Sequence, residues 1–422
     1  MRFASIVFLS AFTTIPVFSQ EQMAADTCVK KDLSDIIREA RNKPPKEKKE
    51  GEGSLLLFPI IGSNPAIGFM MGVGGQYAFK MPGKNTLYSL ISGSAQYTTK
   101  NQVLFIMRNN VYSKNNKIFY TGDWRFQIFS QPTYGLGTRA PVGGILDFQY
   151  NLLGVDATID SLAQPMNFNF ARLYQSASLK LKENIYLGIG YNFDSYSSII
   201  DQRLRLNPGD SLITSHYAYS RYYGFSPTSY FVSAFALNFV YDSRDNMINA
   251  TKGYYLLMNW QGSRRFLGSK NNADFFNVEY RSFHPVSKKD PRHILAFWMM
   301  GNFTPPGDFP YMILPATAYD QRSRSGRGYA QGRFRGTNLV YAETEYRFPI
   351  SRCTDVLGGV LFVNATSATN PVSGEKLFDT VKPGYGMGLR VMIDKHSRTN
   401  LAIDFGFGHQ SGGFYLAASE TF

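Results

Sequence analysis

The sequence predicts an all-β fold, a 16-stranded antiparallel transmembrane β-barrel with a short N-terminal periplasmic helix. Apolar and polar residues alternate with a period of two from Ser54 onward, and aromatic residues make up 15% of the chain. No apolar run reaches the length of a membrane-spanning helix. The composition alone also suits a secreted array of β-sandwiches, so the fold prediction rests on the strand pattern.

The first 19 residues have the features of a secretory signal peptide. Arg2 provides the positive charge, residues 6–12 form a short apolar core, and Ser19 is a small residue at the cleavage position. We expect the mature chain to begin at Gln20.

Residues 20–53 are predicted to be a periplasmic helix and a linker. Within 30–42, Leu33, Ile36, Ile37 and Ala40 recur at helical spacing. Two prolines and a charged run follow in 43–53, which predicts that the helix ends there and a linker begins.

Residues 54–422 are predicted to form the transmembrane β-barrel. In 230–244 one face carries Phe and Leu side chains and the other carries Ala, Asn, Asp and Arg, as expected for a wall between lipid and a polar lumen. Sixteen segments of this kind are predicted: 54–62, 66–79, 87–98, 102–113, 117–130, 166–181, 184–197, 230–244, 254–263, 273–286, 293–304, 338–350, 356–365, 385–394, 400–408 and 413–422.

The lengths of the connections predict the orientation of the barrel in the membrane. Those after even-numbered strands are short, whereas long ones follow odd-numbered strands at 131–165, 198–229, 305–337 and 366–384. Outer-membrane barrels have short periplasmic turns and longer extracellular loops. We therefore expect both ends of the barrel domain to face the periplasm.

The connection at 319–336 is the most unusual loop of the chain. It carries five arginines, Arg322, Arg324, Arg327, Arg333 and Arg335, with no acidic residue after Asp320. We expect it to fold into the lumen, where glycines flank Arg327 and the inward-facing Glu345 offers a carboxylate. The alternative is an exposed basic loop that binds anionic lipopolysaccharide.

These motifs resemble the bacterial surface antigen family, which includes BamA- and TamA-like outer-membrane assembly barrels. Arg327-Gly328-Tyr329 matches the family's loop element, and Glu345 matches its acidic residue in strand 12. The sequence Asp242-Ser243-Arg244-Asp245-Asn246, followed by Gly253, matches the signature before the turn between strands 8 and 9. The chain looks closest to short Bacteroidetes-type members.

Two departures from the family pattern bear on function. Asn364 stands where the family has an aspartate that pairs with the loop arginine, so we expect Glu345 to take more of that role. Residues 20–53 leave no room for a periplasmic POTRA domain, which weighs against substrate capture of the BamA type. The C-terminal strand is predicted to end at Phe422, as in an outer-membrane assembly signal.

The two cysteines, Cys28 and Cys353, are both predicted to be periplasmic. An exported protein can form a disulfide between them, and free buried thiols are the alternative.

Several function classes find no support in the sequence. The five histidines lack metal-ligand spacing and are expected to be solvated. No nucleophile motif or cofactor site is recognisable, so neither catalysis nor a cofactor or metal is predicted. The net charge of +13 is spread over many turns, which does not indicate nucleic-acid binding.

The predicted function is outer-membrane protein assembly, insertion or translocation. The alternatives are a passive pore or structural subunit of a larger complex and, third, a lipid-modifying enzyme. The expected partners are outer-membrane lipid and lipopolysaccharide, the machinery that inserts the barrel, and other outer-membrane proteins.

Overall fold

The computed structural model describes residues 30–44, 53–64, 68–83, 86–140, 158–159, 163–208, 210–351 and 354–422. The predicted signal peptide (1–19) and both cysteines, Cys28 and Cys353, lie outside the described residues. The signal peptide and the disulfide therefore stay predictions.

Sixteen strands form one antiparallel sheet in which each strand pairs with the next along the chain, which confirms the predicted fold class. In chain order they are β1 (Ser54–Asn64), β2 (Gly68–Lys80), β3 (Tyr88–Thr98), β4 (Val103–Tyr112), β5 (Ile118–Thr133), β6 (Gln164–Lys182), β7 (Ile185–Asp201), β8 (Tyr230–Asp242), β9 (Gly253–Ser263), β10 (Ala273–Pro285), β11 (Ile294–Phe303), β12 (Asn338–Pro349), β13 (Leu357–Ala368), β14 (Lys382–Asp394), β15 (Thr399–Gly408) and β16 (Ser411–Ala417).

The outer face of the sheet carries large apolar side chains that are open to the surroundings. Ile189 is 71% exposed, and Leu237 and Val363 are 51% and 59% exposed. Their neighbours along each strand, such as Asn238 and Asn364, are buried on the inner face. A soluble protein rarely exposes so continuous an apolar surface, whereas a lipid-facing barrel wall requires one.

The sheet curls until strands near its two ends meet. The Gln76 side-chain amide on β2 donates to Thr399 Oγ1 on β15 over 3.3 Å. No hydrogen-bonded ladder between β1 and β16 is seen in the part of the chain that the structure describes. The inner face thus encloses a lumen lined by polar side chains.

The longest connections follow odd-numbered strands, as predicted. The one between β7 and β8 contains helix α2 (Ser215–Tyr222) and two short strands, Arg205–Asn207 and Asp210–Ile213, that pair with each other. Asp210–Ile213 also pairs, in parallel, with Thr158–Ile159.

The prediction that every histidine is solvated is wrong for His216. It lies on α2, is fully buried, and its Nδ1 lies 2.9 Å from Asp201 Oδ2. The reason is that α2 packs inward, with Tyr219 in an apolar cluster that includes Phe168 and Tyr311.

The C-terminal strand was predicted to reach Phe422, but in the structure it ends earlier. β16 ends at Ala417, and the segment 418–422 turns to the inner face instead of continuing the wall. Two interactions draw it inward: Glu420 pairs with Arg390, and the Phe422 ring packs against Trp298 at a centroid distance of 5.4 Å.

The predicted N-terminal helix is present as α1 (Leu33–Ala40). Asp32 and Asp35 cap its first turn reciprocally. The same two carboxylates accept hydrogen bonds from the backbone N–H and the Nζ of Lys395, in the turn between β14 and β15. Neither α1 nor any other described helix is long and apolar enough to cross a membrane.

Candidate functional site

The loop between β11 and β12 makes hydrogen bonds to strands in both halves of the sheet. On one side Arg125 of β5 donates to the carbonyl of Asp320, and Arg108 of β4 donates to Ser323 Oγ. On the other side the Tyr329 hydroxyl donates to the carbonyl of Pro383 on β14 over 2.6 Å. The loop is therefore hydrogen-bonded to strands that lie far apart in the sheet, β4 and β5 on one side and β14 on the other.

Asp320 organises the first part of this loop. Its carboxylate accepts hydrogen bonds from the backbone N–H groups of Arg322, Arg324 and Ser325. It also accepts one from the Ser325 hydroxyl, at 2.8 Å. A carboxylate that collects several neighbouring N–H groups fixes a tight turn, and this turn presents Arg327 to the strands.

Arg327 is fully buried and contacts three carboxylates. Its Nε and Nη2 atoms make a bidentate pair with Glu343 at 3.1 and 2.6 Å. Nη2 also reaches Glu345 Oε1 at 2.5 Å, and Nη1 reaches Asp404 Oδ2 at 2.8 Å. The bidentate partner is thus Glu343, whereas Glu345, the carboxylate that we expected from the sequence to pair with Arg327, makes a single contact. The reason is that Glu345 is shared with a second guanidinium, that of Arg347.

The carboxylates extend the site into a network. Arg347 holds Glu345 at 2.7 Å, and Arg390 bridges Asp404 at 2.5 Å to Glu420 at 2.7 Å. Three arginines therefore meet four acidic groups on the inner face. The network links the loop to β12, β14, β15 and the C-terminal segment.

The environment of Arg327 keeps its guanidinium charged. Burial by itself lowers the pKa of Arg327, but Glu343, Glu345 and Asp404 together raise it well above its ordinary range. The Phe362 ring lies 3.6 Å from the guanidinium carbon, a cation–π contact that covers its remaining face. Removing a charge from water is costly unless such partners are present.

Gly328 and Tyr329 follow Arg327 into a cleft in the wall. Gly328 has φ of +99°, and a Cβ atom there would lie 2.6 Å from the carbonyl oxygen of Phe407. Its N–H donates to the Tyr415 hydroxyl, and the Tyr329 ring packs over Gly408. The absence of side chains at these glycines permits the loop backbone to approach β15 closely.

Asn364 has a different role from the one that the family pattern suggests. Its side-chain N–H donates to the carbonyl of Arg327 at 3.0 Å, and it lies 3.5 Å from Glu343 Oε2. It therefore contacts Arg327 through the backbone carbonyl and not through the guanidinium, with which the family's aspartate pairs. Three carboxylates already surround the guanidinium, so Asn364 instead satisfies the loop backbone.

Restoring the family's aspartate should destabilise this protein. In Asn364→Asp a carboxylate would face both the carbonyl of Arg327 and the carboxylate of Glu343, and the donor would be lost. We expect a loss of about 1–3 kcal/mol. Urea unfolding, followed by the loss of the compact band in unheated gels, measures it. The control is Asn169→Asp, at an exposed position of β6; equal effects from both variants would contradict this account.

The other loop arginines are held mainly by backbone carbonyls. Arg335 donates to three carbonyls, including that of Tyr311 at 3.0 Å, and Arg333 donates to the carbonyl of Ala140. Arg322 donates to the carbonyl of Glu420. Burial, followed by the charges of Arg281 and Arg244, lowers the pKa of Arg322 to about 9. Among the five, Arg327 is the one that is matched by several carboxylates.

The signature at 242–246 forms the turn between β8 and β9, at the rim opposite the long loops. Arg244 makes a bidentate pair with Asp242 at 2.9 and 2.7 Å. Asn246 accepts from the N–H groups of the two residues at 248 and 249, which forms a turn. Gly253 has φ of +104°, and a Cβ there would lie 2.3 Å from the carbonyl oxygen of Ser243.

Asp245 ties this rim across the barrel. Its carboxylate accepts from Arg398, between β14 and β15, at 2.5 Å, and from the Thr251 hydroxyl at 2.7 Å. The structure thus brings Asp242, Arg244, Asp245, Asn246 and Gly253 together in one turn, which lies apart from Arg327.

We predict an acid-sensitive contribution from Asp245. Burial raises its pKa, but the hydrogen bonds from Arg398 and Thr251 outweigh burial, so its pKa lies below the ordinary value. A carboxyl with a lowered folded-state pKa stabilises the fold above its unfolded pKa of about 3.9, and the stabilisation is lost as pH falls through the folded value. Asp245→Asn should therefore cost about 1 kcal/mol at pH 7 and progressively less below pH of about 4. Urea midpoints at pH 7 and pH 3 measure this, and a pH-independent difference would contradict it.

Sequence reasoning missed most of the network around Arg327. Alternation places Glu343 and Asp404 on the inner face, but nothing local indicates that they converge with Glu345 on one guanidinium. Arg390 and Glu420 were not assigned any role. The register of strand pairing brings these residues together. Glu343 lies opposite Asn364, and Asp404 lies opposite Gly388, two residues from Arg390.

The described residues contain no group of three or more His, Cys, Asp or Glu side chains arranged to hold a metal ion. The buried acids near Arg327 are paired with arginines.

Comparison with known proteins identifies an Omp85 superfamily domain over residues 180–422. No curated protein matches the chain. Among solved structures, BamA from Haemophilus ducreyi lacking POTRA domains 1–3 is 13% identical with a TM-score of 0.51, covering 87% of this chain and 69% of that one. CdiB from Escherichia coli is 11% identical with a TM-score of 0.47, covering 89% of this chain and 62% of that one. The likeness to BamA shows a shared fold.

Proposed function

The chain belongs to the Omp85 superfamily, because residues 180–422 match the domain of that superfamily. We propose that it assembles, inserts or translocates proteins at the outer membrane. The resemblance to BamA-like barrels predicted from the sequence is thereby confirmed. Membership of the short Bacteroidetes-type group stays a prediction.

The contact of Arg327 with Glu343, Glu345 and Asp404 is the observation that best supports the proposal. It holds the loop 319–336 against two separate parts of the wall, and we infer that the loop braces the lumen. A braced lumen stabilises the barrel while it handles another chain. It also leaves little room for free diffusion, which favours assembly over a permanently open pore.

We further propose an orientation and a set of partners. The outer face contacts outer-membrane lipid, and the rim with long loops faces lipopolysaccharide. Residues 20–53 and the short turns face the periplasm. The protein acts without catalysis of its own, and its partners are the machinery that inserts it and other outer-membrane proteins.

The test uses the full chain in liposomes. An unfolded outer-membrane barrel protein is diluted from urea, and the appearance of its compact, heat-modifiable band is timed. We expect faster insertion than into empty liposomes. Equal rates would contradict an assembly role.

Conductance in planar bilayers tests the alternative of a passive pore. A braced lumen predicts a mostly closed state with rare openings. A steady ohmic conductance, together with no effect on client insertion, would favour the passive pore.

A further inference from the structure

A separate chamber lies on the inner face, away from Arg327. It has a volume of about 220 Å³ and is walled by β5 to β11. The part of the β11–β12 connection from Phe309 to Gln321 forms its roof. The network around Arg327 is not part of its lining.

A row of four asparagines crosses the floor of this chamber. Asn238, Asn259, Asn277 and Asn302 lie on the consecutive strands β8, β9, β10 and β11, each directly opposite the next. Since neighbouring strands are about 4.8 Å apart, the amide row is about 14 Å long. The alternation of apolar and polar residues explains a polar residue at each of these four paired positions. It does not explain why all four are asparagine.

These amides are only partly hydrogen-bonded, so some of their donor and acceptor atoms could bind a ligand. Asn259 donates to Asn238 at 2.6 Å, Gln261 donates to Asn259 at 2.8 Å, and Asn277 donates to Asn302 at 2.7 Å. The Nδ2 atom of Asn238 is buried and has no hydrogen-bond partner, although the residue is only 6% exposed. A buried amide without a partner is costly, so it marks a place where a ligand atom can bind.

The charged groups that line the chamber already have partners: Asp320 accepts backbone N–H groups of its own loop, and the others are in ion pairs. Arg172 pairs with Asp194 at 2.8 Å, Arg125 with Asp123 at 2.7 Å, and Arg281 with Glu279 at 2.5 Å. An ionic ligand would have to compete with these pairs. Neutral polar groups are thus left to recognise a ligand, and among them the amides offer donors and acceptors in equal measure.

Aromatic rings complete the lining. Tyr174, Tyr255, Phe275 and Tyr319 all border the chamber. Flat apolar rings beside a row of primary amides fit a molecule with apolar C–H faces and a rim of hydroxyl groups. The volume lies below that of drug-sized pockets, so the ligand must be small.

We propose that this chamber binds a neutral sugar ring. The asparagine row hydrogen-bonds its hydroxyl groups, Asn238 Nδ2 gains a partner, and the roof segment closes over it. The inference is independent of the proposed assembly function.

Saturation-transfer NMR with glucose, maltose and N-acetylglucosamine tests this on the full chain in an amine-oxide detergent, since glycoside detergents would themselves supply sugar. At least one sugar should bind saturably. Asn259→Leu should weaken binding about tenfold, the effect of a lost buried hydrogen bond. The matched control Asn169→Leu, on the exposed side of β6, should leave binding unchanged.

Triglycine serves as a neutral peptide probe. Triglycine binding without any sugar binding, no binding of any probe, or a folded Asn259→Leu variant that binds sugar as tightly as the parent would each overturn the proposal. Folding is checked by the compact band in unheated gels. If Asn259→Leu fails to fold, Asn302→Ser, which keeps a small polar group, provides the same comparison.

Discussion

Arg327→Ala should nearly abolish the folded barrel. The substitution leaves Glu343, Glu345 and Asp404 buried around an empty space, with their mutual repulsion no longer offset. Removing one partner of a buried ion pair costs about 3–5 kcal/mol, and here one guanidinium serves three carboxylates. Since total stability is commonly about 5–15 kcal/mol, this loss should shift most of the protein to the unfolded state.

The compact, heat-modifiable band in outer-membrane fractions measures this effect. Arg205→Ala is the matched control, because the Arg205 side chain is 54% exposed and its pair with Asp210 is a surface pair. Arg327→Lys should lie between the two, since lysine keeps the charge but lacks the planar fork. If Arg327→Ala folds as well as Arg205→Ala, the loop arginine has no structural role.

Gly328→Ala should cause the second-largest loss. The residue adopts φ of +99°, which an L-amino acid with a Cβ tolerates poorly, and the added carbon would meet the Phe407 carbonyl oxygen at 2.6 Å. Relief of that contact requires the loop to move away from β15, which also pulls Arg327 from Asp404. We expect a cost of about 3 kcal/mol or more, measured by urea unfolding.

Gly374→Ala separates the two contributions. Gly374 has φ of +75°, but a Cβ there would meet nothing within 4 Å. Gly374→Ala should therefore cost only the free energy of placing a residue with a Cβ at positive φ, about 1 kcal/mol. Similar losses for the two variants would mean that close approach to β15 does not matter.

The wall of the barrel was predictable because it depends on local pattern. The alternation in β8 and β12 follows from a strand with lipid on one side and a polar lumen on the other, and it is visible residue by residue. The number of strands and the parity of long and short connections followed from the same pattern. The same alternation places Glu343, Glu345 and Arg347 on the inner face, where the structure buries them.

The interior was less predictable because its contacts are long-range. The choice of Glu343 over Glu345 as the bidentate partner depends on Arg347, which competes for Glu345. The inward turn at Glu420 and Phe422 depends on Arg390 and Trp298, which are distant in sequence. Alternation identifies an inward-facing charge but not its partner across the lumen.

Whether the loop 319–336 is locked inside the barrel is tested most directly by labelling with a membrane-impermeant maleimide. The variants are Ser325→Cys, whose parent side chain is buried beside Asp320, and the control Ser226→Cys, at an exposed loop position. Both are made in a chain with Cys28 and Cys353 replaced by serine. We predict that Ser226→Cys is labelled on the folded protein, whereas Ser325→Cys is labelled only after heat unfolding. Equal labelling of the two folded variants would contradict a loop held inside the barrel by Arg327.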